Sequence, residues 1–214
     1  DQGETWDEVQ RLSGGEYTHS AWARFDFSGT ASDSLGIIWR DNRAGDTWDI
    51  YGSFSEDGGA TWEEKVVRES SDKQWDPMSL VDADGRTHVS MMEMPKGNQF
   101  EVEIRYAYTV DGGDSYSTFQ KMTDVRSRFP FLMCNPERNL VWLCWKDERE
   151  FDLQTGSANA DIVGVYSLDG GDSWSDLETA AAHPTEELRF HTFHLGTDGV
   201  LRTVYSHIGP GDDL

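Results

Sequence analysis

Cysteine is scarce in this sequence of 214 residues, with Cys134 and Cys144 the only two. One pair cannot build the framework that staples small, loop-rich proteins. The two lie on successive expected strands joined by the turn "NPERN". In a simple hairpin register Cys134 falls opposite Val141 while Cys144 points to the other sheet face, so a bond between them would need distorted geometry. Both are expected as buried thiols. Long apolar runs are missing too. The longest, such as "LVWLCW" at 140–145, have the length of a buried strand, far below the roughly 20 residues of a membrane-spanning helix. Neither a secretory signal nor an initiator Met opens the chain, so its start is expected to be a processed or trimmed end.

Basic residues are few. Eighteen Lys and Arg face forty Asp and Glu, a formal net charge of −22, and that field repels a phosphate backbone and argues against a nucleic-acid partner. Solubility is one reading of the surplus, and Ca2+ held by acidic loops is the other; no further cofactor is expected. The six histidines do not suggest a metal. His191 and His194 are three apart in an expected strand and point to opposite faces, while His19 and His207 fall near strand ends.

What is present is aromatic. Twelve per cent of the chain is Phe, Trp or Tyr, nine of them Trp, which excludes a disordered segment of this charge. The length suits one domain with a real core, and twenty-one Gly among short apolar stretches point to many turns and strands.

One turn recurs. "SFSEDGGATW" at 53–62 returns as "TVDGGDSY" at 109–116, as "SLDGGDSW" at 167–174 and, shortened at its front, as "DQGETW" at 1–6. Asp-Gly between polar–apolar alternations is hairpin chemistry. The closing aromatics Trp6, Trp62, Tyr116 and Trp174 are spaced by 56, 54 and 58 residues, a period that marks a repeat architecture. Within a period the same parts return in order. Residues 127–176 read strand "SRFPFLM", turn, strand "LVWLCW", polar loop, strand "DIVGVYS", Asp-Gly-Gly turn and "DSWSDLET". In the copy before it, Val102, Ile104, Tyr106 and Tyr108 alternate with Glu103, Arg105 and Ala107, a clear period of two.

Four short antiparallel strands per repeat describe a blade of an all-β β-propeller. The blades are expected over 17–68, 75–122 and 127–180, with a partial blade at 189–214 and the outer strand of a split blade at 1–13. About four blades are represented. Either the two ends together complete a fourth blade, or the chain is a piece of a larger ring that a missing segment or an oligomer completes.

The turn Ser/Thr-x-Asp-x-Gly-x-Thr/Ser-aromatic resembles the Asp-box, or BNR repeat, of sialidases and related propellers. It is carried by Ser55, Asp57, Gly59, Thr61 and Trp62; by Thr109, Asp111, Gly113, Ser115 and Tyr116; by Ser167, Asp169, Gly171, Ser173 and Trp174; and, without its leading Ser, by Asp1, Gly3, Thr5 and Trp6. The resemblance spans the chain and implies a parent ring of six blades. It makes the box a fold staple between the third and fourth strands, on the face away from the ligand. Asp57, Asp111 and Asp169 are then structural, accepting backbone N–H groups across a turn whose glycines permit positive φ.

Ligands of such a propeller would bind where strand 2 leads to strand 3. There the chain reads "WRDNRAGDTWDI" at 39–50 and "WKDEREFD" at 145–152, with Asp-x-Arg in both, as Asp41/Arg43 and Asp147/Arg149. The resemblance extends to Arg128-Phe129-Pro130, which looks like the Arg-Ile-Pro of a sialidase inner strand. It implies Arg43, Arg128, Asp147 and Arg149 as substrate-binding residues and Asp46, Glu150 or Asp152 as the general acid/base. Guanidinium clusters pair well with a sugar carboxylate, and a carboxyl of raised pKa could protonate a leaving oxygen. Trp48 and Trp75 are candidates for stacking on a sugar ring. The family's Tyr nucleophile and its Glu partner have no good match; Tyr205 is poorly placed. Two functions stay open: an exo-acting, sialidase-like glycoside hydrolase on an anionic or other terminal sugar, or a non-catalytic propeller that binds carbohydrate or protein. They differ in whether the arginines converge on one pocket or pair with local Asp residues. The expected partner is a glycan or other carbohydrate ligand, and the expected location is extracellular or periplasmic.

Overall fold

In a computed structural model the described residues are 8–14, 20–24, 26–27, 33–43, 45, 47–98, 100–149, 160–182 and 187–208. They form fifteen strands in four sheets, simple antiparallel meanders apart from one short parallel strand. The first sheet runs β1 (Ser20–Arg24), β3 (Leu35–Asp41), β4 (Asp49–Ser55) and β5 (Glu63–Arg68), and the two-residue β2 (Asp26–Phe27) crosses to pair in parallel with β6. The second holds β6 (Lys73–Val81), β7 (Thr87–Met94), β8 (Glu103–Thr109) and β9 (Gln120–Lys121). The third holds β10 (Ser127–Asn135), β11 (Leu140–Asp147), β12 (Asp161–Ser167) and β13 (Glu178–Ala181). β14 (Glu187–Leu195) and β15 (Leu201–Ile208) make a two-stranded fourth. These are blades of a β-propeller, and the sheets do not close a ring.

The core lies between the blades. Ile38, Ile50 and Phe54 of the first meet Val89, Met91 and Ala107 of the second. Met78, Leu80, Ile104 and Tyr106 meet Leu132, Leu143, Trp145 and Val163 of the third. Met133, Cys144 and Ile162 meet Phe193 of the fourth. Each such side chain, fully buried, contributes about 1.5–3 kcal/mol. Apolar residues therefore cover both faces of a blade, which is why β11 reads as a nearly continuous apolar run.

Two expectations change. No regular strand forms over 8–14, the described part of the expected outer strand 1–13. Its backbone is instead tied by side chains of β4 and β5: Ser53 donates to the Leu12 carbonyl at 2.9 Å, and Gly14 N donates to Glu64 Oε2 at 2.8 Å. The thiols are both free and Cys134 does pair with Val141, but only Cys144 is buried. Cys134 is half-buried because it sits beside the turn of its hairpin, lining a cavity of about 70 Å³ with Asn135, Asp82 and Val141.

The repeated turn has one geometry in all three described copies. Ser55 donates its hydroxyl to Asp57 Oδ1 and accepts from Gly59 N, each at 2.8 Å. Asp57 in turn accepts Thr61 N at 2.8 Å and the Thr61 hydroxyl at 2.6 Å. Thr109/Asp111/Ser115 and Ser167/Asp169/Ser173 repeat the set. Two consecutive glycines take positive φ, as at Gly170 (71°) and Gly171 (91°). The third box also reaches the preceding blade: Trp174 meets Tyr106 edge-on with centroids 4.8 Å apart. The Tyr106 hydroxyl lies 2.7 Å from His88 Nδ1, whose Nε2 lies 3.1 Å from Asp82. The turns thus join blade to blade as well as strand to strand. Asp1 and Trp6 of the fourth copy lie outside the described residues.

Candidate functional site

The repeated turns and the β6–β7 and β10–β11 hairpins share one end of the blades, so the segments joining strands 2 and 3 share the other. At that second end every complete blade sets acid opposite acid, all of them buried except the half-buried Asp161. Asp41 pairs with Asp49, Glu93 with Glu103 and Asp147 with Asp161 in the strand register. Like charges directly opposite are destabilising, so each pair needs cations or donors. Asp41 takes Arg43 at 2.8 Å. Asp49 accepts Ser70 N at 3.2 Å, and its carboxyl is pushed up chiefly by burial. Glu93 takes Arg68 at 2.8 Å and Arg105 at 2.9 Å, while Lys121 reaches Glu103 at 2.8 Å. Asp147 takes Arg149, and its neighbour Glu148 takes Arg126 at 2.7 Å and Lys146 at 3.1 Å.

The two Asp-x-Arg stretches form the same local clamp. Arg43 N donates to Asp41 Oδ1 at 2.8 Å and Arg149 N to Asp147 Oδ1 at 3.0 Å, and each guanidinium returns to the same carboxylate. Arg43 also pairs with Glu64 at 2.7 Å and lies 4.2 Å from the Tyr51 ring centroid. Its pKa is raised, first by the Asp41 hydrogen bond. These arginines order the ends of β3 and β11. Arg128 differs: its guanidinium lies over the Phe129 ring at 4.8 Å, and it makes no ion pair among the described residues. Asp46, Glu150 and Asp152 lie outside the described residues. Tyr205 is exposed on β15.

A further arginine sits where the first two blades meet. The guanidinium of Arg40, on β3, lies 3.9 Å from the Trp75 ring centroid and 4.7 Å from that of Trp48. The two rings are 6.3 Å apart, tilted by 58°. Gln74 N donates to the Trp48 carbonyl at 2.7 Å, which fastens the loop after β3 to the start of β6. Arg40 is buried, and burial lowers its pKa against the opposing pull of Asp76. Asp76 is itself buried, with φ of 44° immediately before Pro77. Its strand breaks register between Trp75 and Met78, just as β10 breaks between Arg128 and Phe131, where Phe129 has φ of 56° before Pro130. The sequence reading gave no role to Arg40 or Asp76. Their signal was present: Arg40 stands directly before the Asp of the first Asp-x-Arg stretch, and Asp76-Pro77 occupies the place of Phe129-Pro130 one blade earlier.

Among the described residues no group of three His, Cys, Asp or Glu could hold a metal ion, and no helix is long and apolar enough to cross a membrane.

No family model matches the sequence, and no curated protein matches it. Solved structures do resemble the fold. A protein of unknown function from Dyadobacter fermentans aligns with a TM-score of 0.67 at 14% identity, over 92% of this chain and 65% of its own. An alpha-L-arabinofuranosidase from Fusarium graminearum, in complex with an iminosugar inhibitor, aligns at 0.58 and 16%, over 91% and 58%. A Hadza microbial sialidase aligns at 0.52 and 17%, over 79% and 40%. The chain thus spans less than two thirds of each of these proteins.

Proposed function

We infer that this chain belongs to a glycan-processing propeller and engages sugar at the end carrying Arg40, Trp48 and Trp75. One observation carries the reading: two half-buried Trp rings flank a buried guanidinium at the end opposite the repeated turns, and indole faces with a fixed donor are what a sugar ring's C–H face and hydroxyls require. The arabinofuranosidase and sialidase among the fold neighbours support it by analogy alone. The turns are read as Asp-boxes that staple the ring, a segment outside this sequence or a second copy completes it, and the protein acts outside the cytoplasm.

Sialidase-type hydrolysis is the less supported form, because Arg43 and Arg149 are engaged by Asp41 and Asp147. Those clamps favour, as the second reading, a non-catalytic carbohydrate-binding propeller. A panel of fluorogenic glycosides, including a sialoside and an arabinofuranoside, separates the two when combined with glycan binding by wild type and by W48A and W75A. Turnover of any glycoside establishes the enzyme. Binding without turnover, weakened in both Trp variants, establishes the binding module. Binding unchanged in both variants refutes the site.

A further inference from the structure

We propose that the face of the third blade around Tyr166, with the free edge of β15 beside it, is a docking surface for a box-bearing hairpin. Its occupant is a strand, an Asp-Gly-Gly turn and a second strand, brought by polypeptide that continues this repeat. The inference concerns the ring and is independent of the glycan-engaging end.

The first argument is a contact that the chain already makes twice. Where the first blade meets the second, and the second the third, the second glycine of a repeated turn lies on an aromatic ring of the preceding blade. A Cβ on Gly113 would stand 2.7 Å from Phe54 Cε2, and one on Gly171 would fall onto the Tyr106 hydroxyl. Tyr116 and Phe119, which follow Gly113, pack on the cluster that holds Phe54, and Trp174 packs on Tyr106. The missing Cβ is what lets each turn lie against its ring.

The third blade carries the first blade's half of that contact. Phe54 and Tyr166 each stand one residue before the hydroxyl that opens a box, Ser55 or Ser167. Gly52 and Gly164 hold the place two residues earlier, opposite Ile38 and Cys144 in the register. Phe54, under its turn, is 4% exposed. Tyr166 is only half-buried, with its ring 5.1 Å from that of Trp142. In place of a turn it borders an open groove of about 480 Å³, together with Leu140, Leu168 and Gly199. A second groove of about 280 Å³ lies between Trp142 and Gly164 on one side and Leu201 and Thr203 of β15 on the other. Leu168 is 62% exposed, and Trp142 Nε1 is buried with no hydrogen-bond partner among the described residues.

The second argument is the strand edge. In each complete blade the second strand has a neighbour on either side, whereas β15 pairs with β14 alone among the described residues. An unpaired edge is a template for an added strand, and Val204 on β15 is 71% exposed. A strand laid along β15 would carry its turn to the groove at Tyr166, as β8 beside β7 carries Gly113 to Phe54.

The test titrates the whole chain into a labelled synthetic peptide of residues 103–121, the β8–turn–β9 hairpin that covers Phe54, followed by fluorescence anisotropy. The peptide should bind, and Tyr166→Ala should weaken it by roughly tenfold or more, with the melting temperature reporting that the variant is folded. Gly113→Val in the peptide should weaken binding as much, a change that leaves the receiving chain untouched. No binding of the unmodified peptide overturns the docking surface, as does binding that neither change weakens. Stable dimers of the chain alone, lost in Tyr166→Ala, overturn the occupant in favour of a second copy. Binding of arabino- or galacto-oligosaccharides that Tyr166→Ala abolishes, without peptide binding, overturns it in favour of a sugar. The Trp48 and Trp75 variants are read separately, so failure here is distinguishable from failure of the glycan-engaging end.

Discussion

Replacing Gly171 with Ala should be far more damaging than the same change at Gly58, although both occupy the repeated turn. A Cβ on Gly171 would fall onto the Tyr106 hydroxyl and 2.7 Å from Tyr106 Cζ, with φ at 91°. Tyr106 is fully buried, bonded to His88 and in edge contact with Trp174, so it has no empty space to enter. Left-handed backbone strain costs about 1–3 kcal/mol, overpacking about 1–3 kcal/mol, and the displaced buried hydrogen bond about 1–3 kcal/mol. These overlap, giving about 3–6 kcal/mol from a total stability on the order of 5–15 kcal/mol. A Cβ on Gly58 meets nothing closer than Asp33 at 3.8 Å, with φ of 70°, so only the backbone cost of about 1–2 kcal/mol remains. Urea unfolding followed by Trp fluorescence compares the midpoints. Tyr106→Phe placed in the Gly171→Ala background should recover about 1 kcal/mol or more relative to additivity, since it removes the atom in conflict. Equal destabilisation by the two alanines, or strict additivity in the double variant, would refute the interlock between turn and neighbouring blade.

Two further outcomes follow from the same contacts. The Asp57 and Asp169 carboxyls are lowered from 3.8 to about 2, first by the hydroxyls of Thr61 and Ser173; a depressed folded pKa adds stability above the unfolded value that is lost as pH falls toward 2. Melting temperature should therefore fall between about pH 4 and pH 2, and less steeply in the Asp57→Asn/Asp169→Asn double variant; parallel profiles would contradict the turn chemistry. A thiol reagent should label Cys134 in the native protein and Cys144 only on unfolding, because burial pushes the Cys144 thiol up. Labelling of native Cys134→Ser by the same reagent would show that Cys144 is accessible.

The aspartate turns were legible because everything they require is local: a hydroxyl two residues before the Asp, two glycines free to take positive φ, and a second hydroxyl four residues after it. Strand order followed from period-two alternation and from hairpins too short for any other connection. The pairing of Cys134 with Val141 needed only the length of "NPERN". Asp41/Arg43 and Asp147/Arg149 were visible as a repeated spacing, but whether those arginines serve a ligand or their own aspartates was not.

The sequence by itself determined the blades and their turns, since dihedral preference and apolar alternation act within about ten residues of chain. Only the tertiary structure decided the partners of the charges. Glu64 reaches Arg43, Trp75 reaches Arg40 across the blade junction, and His88 reaches Tyr106 across a strand pair. Those meetings depend on how twisted sheets pack against one another, and no residue type or spacing records which of many carboxylates or indoles a guanidinium will face once the sheets are stacked.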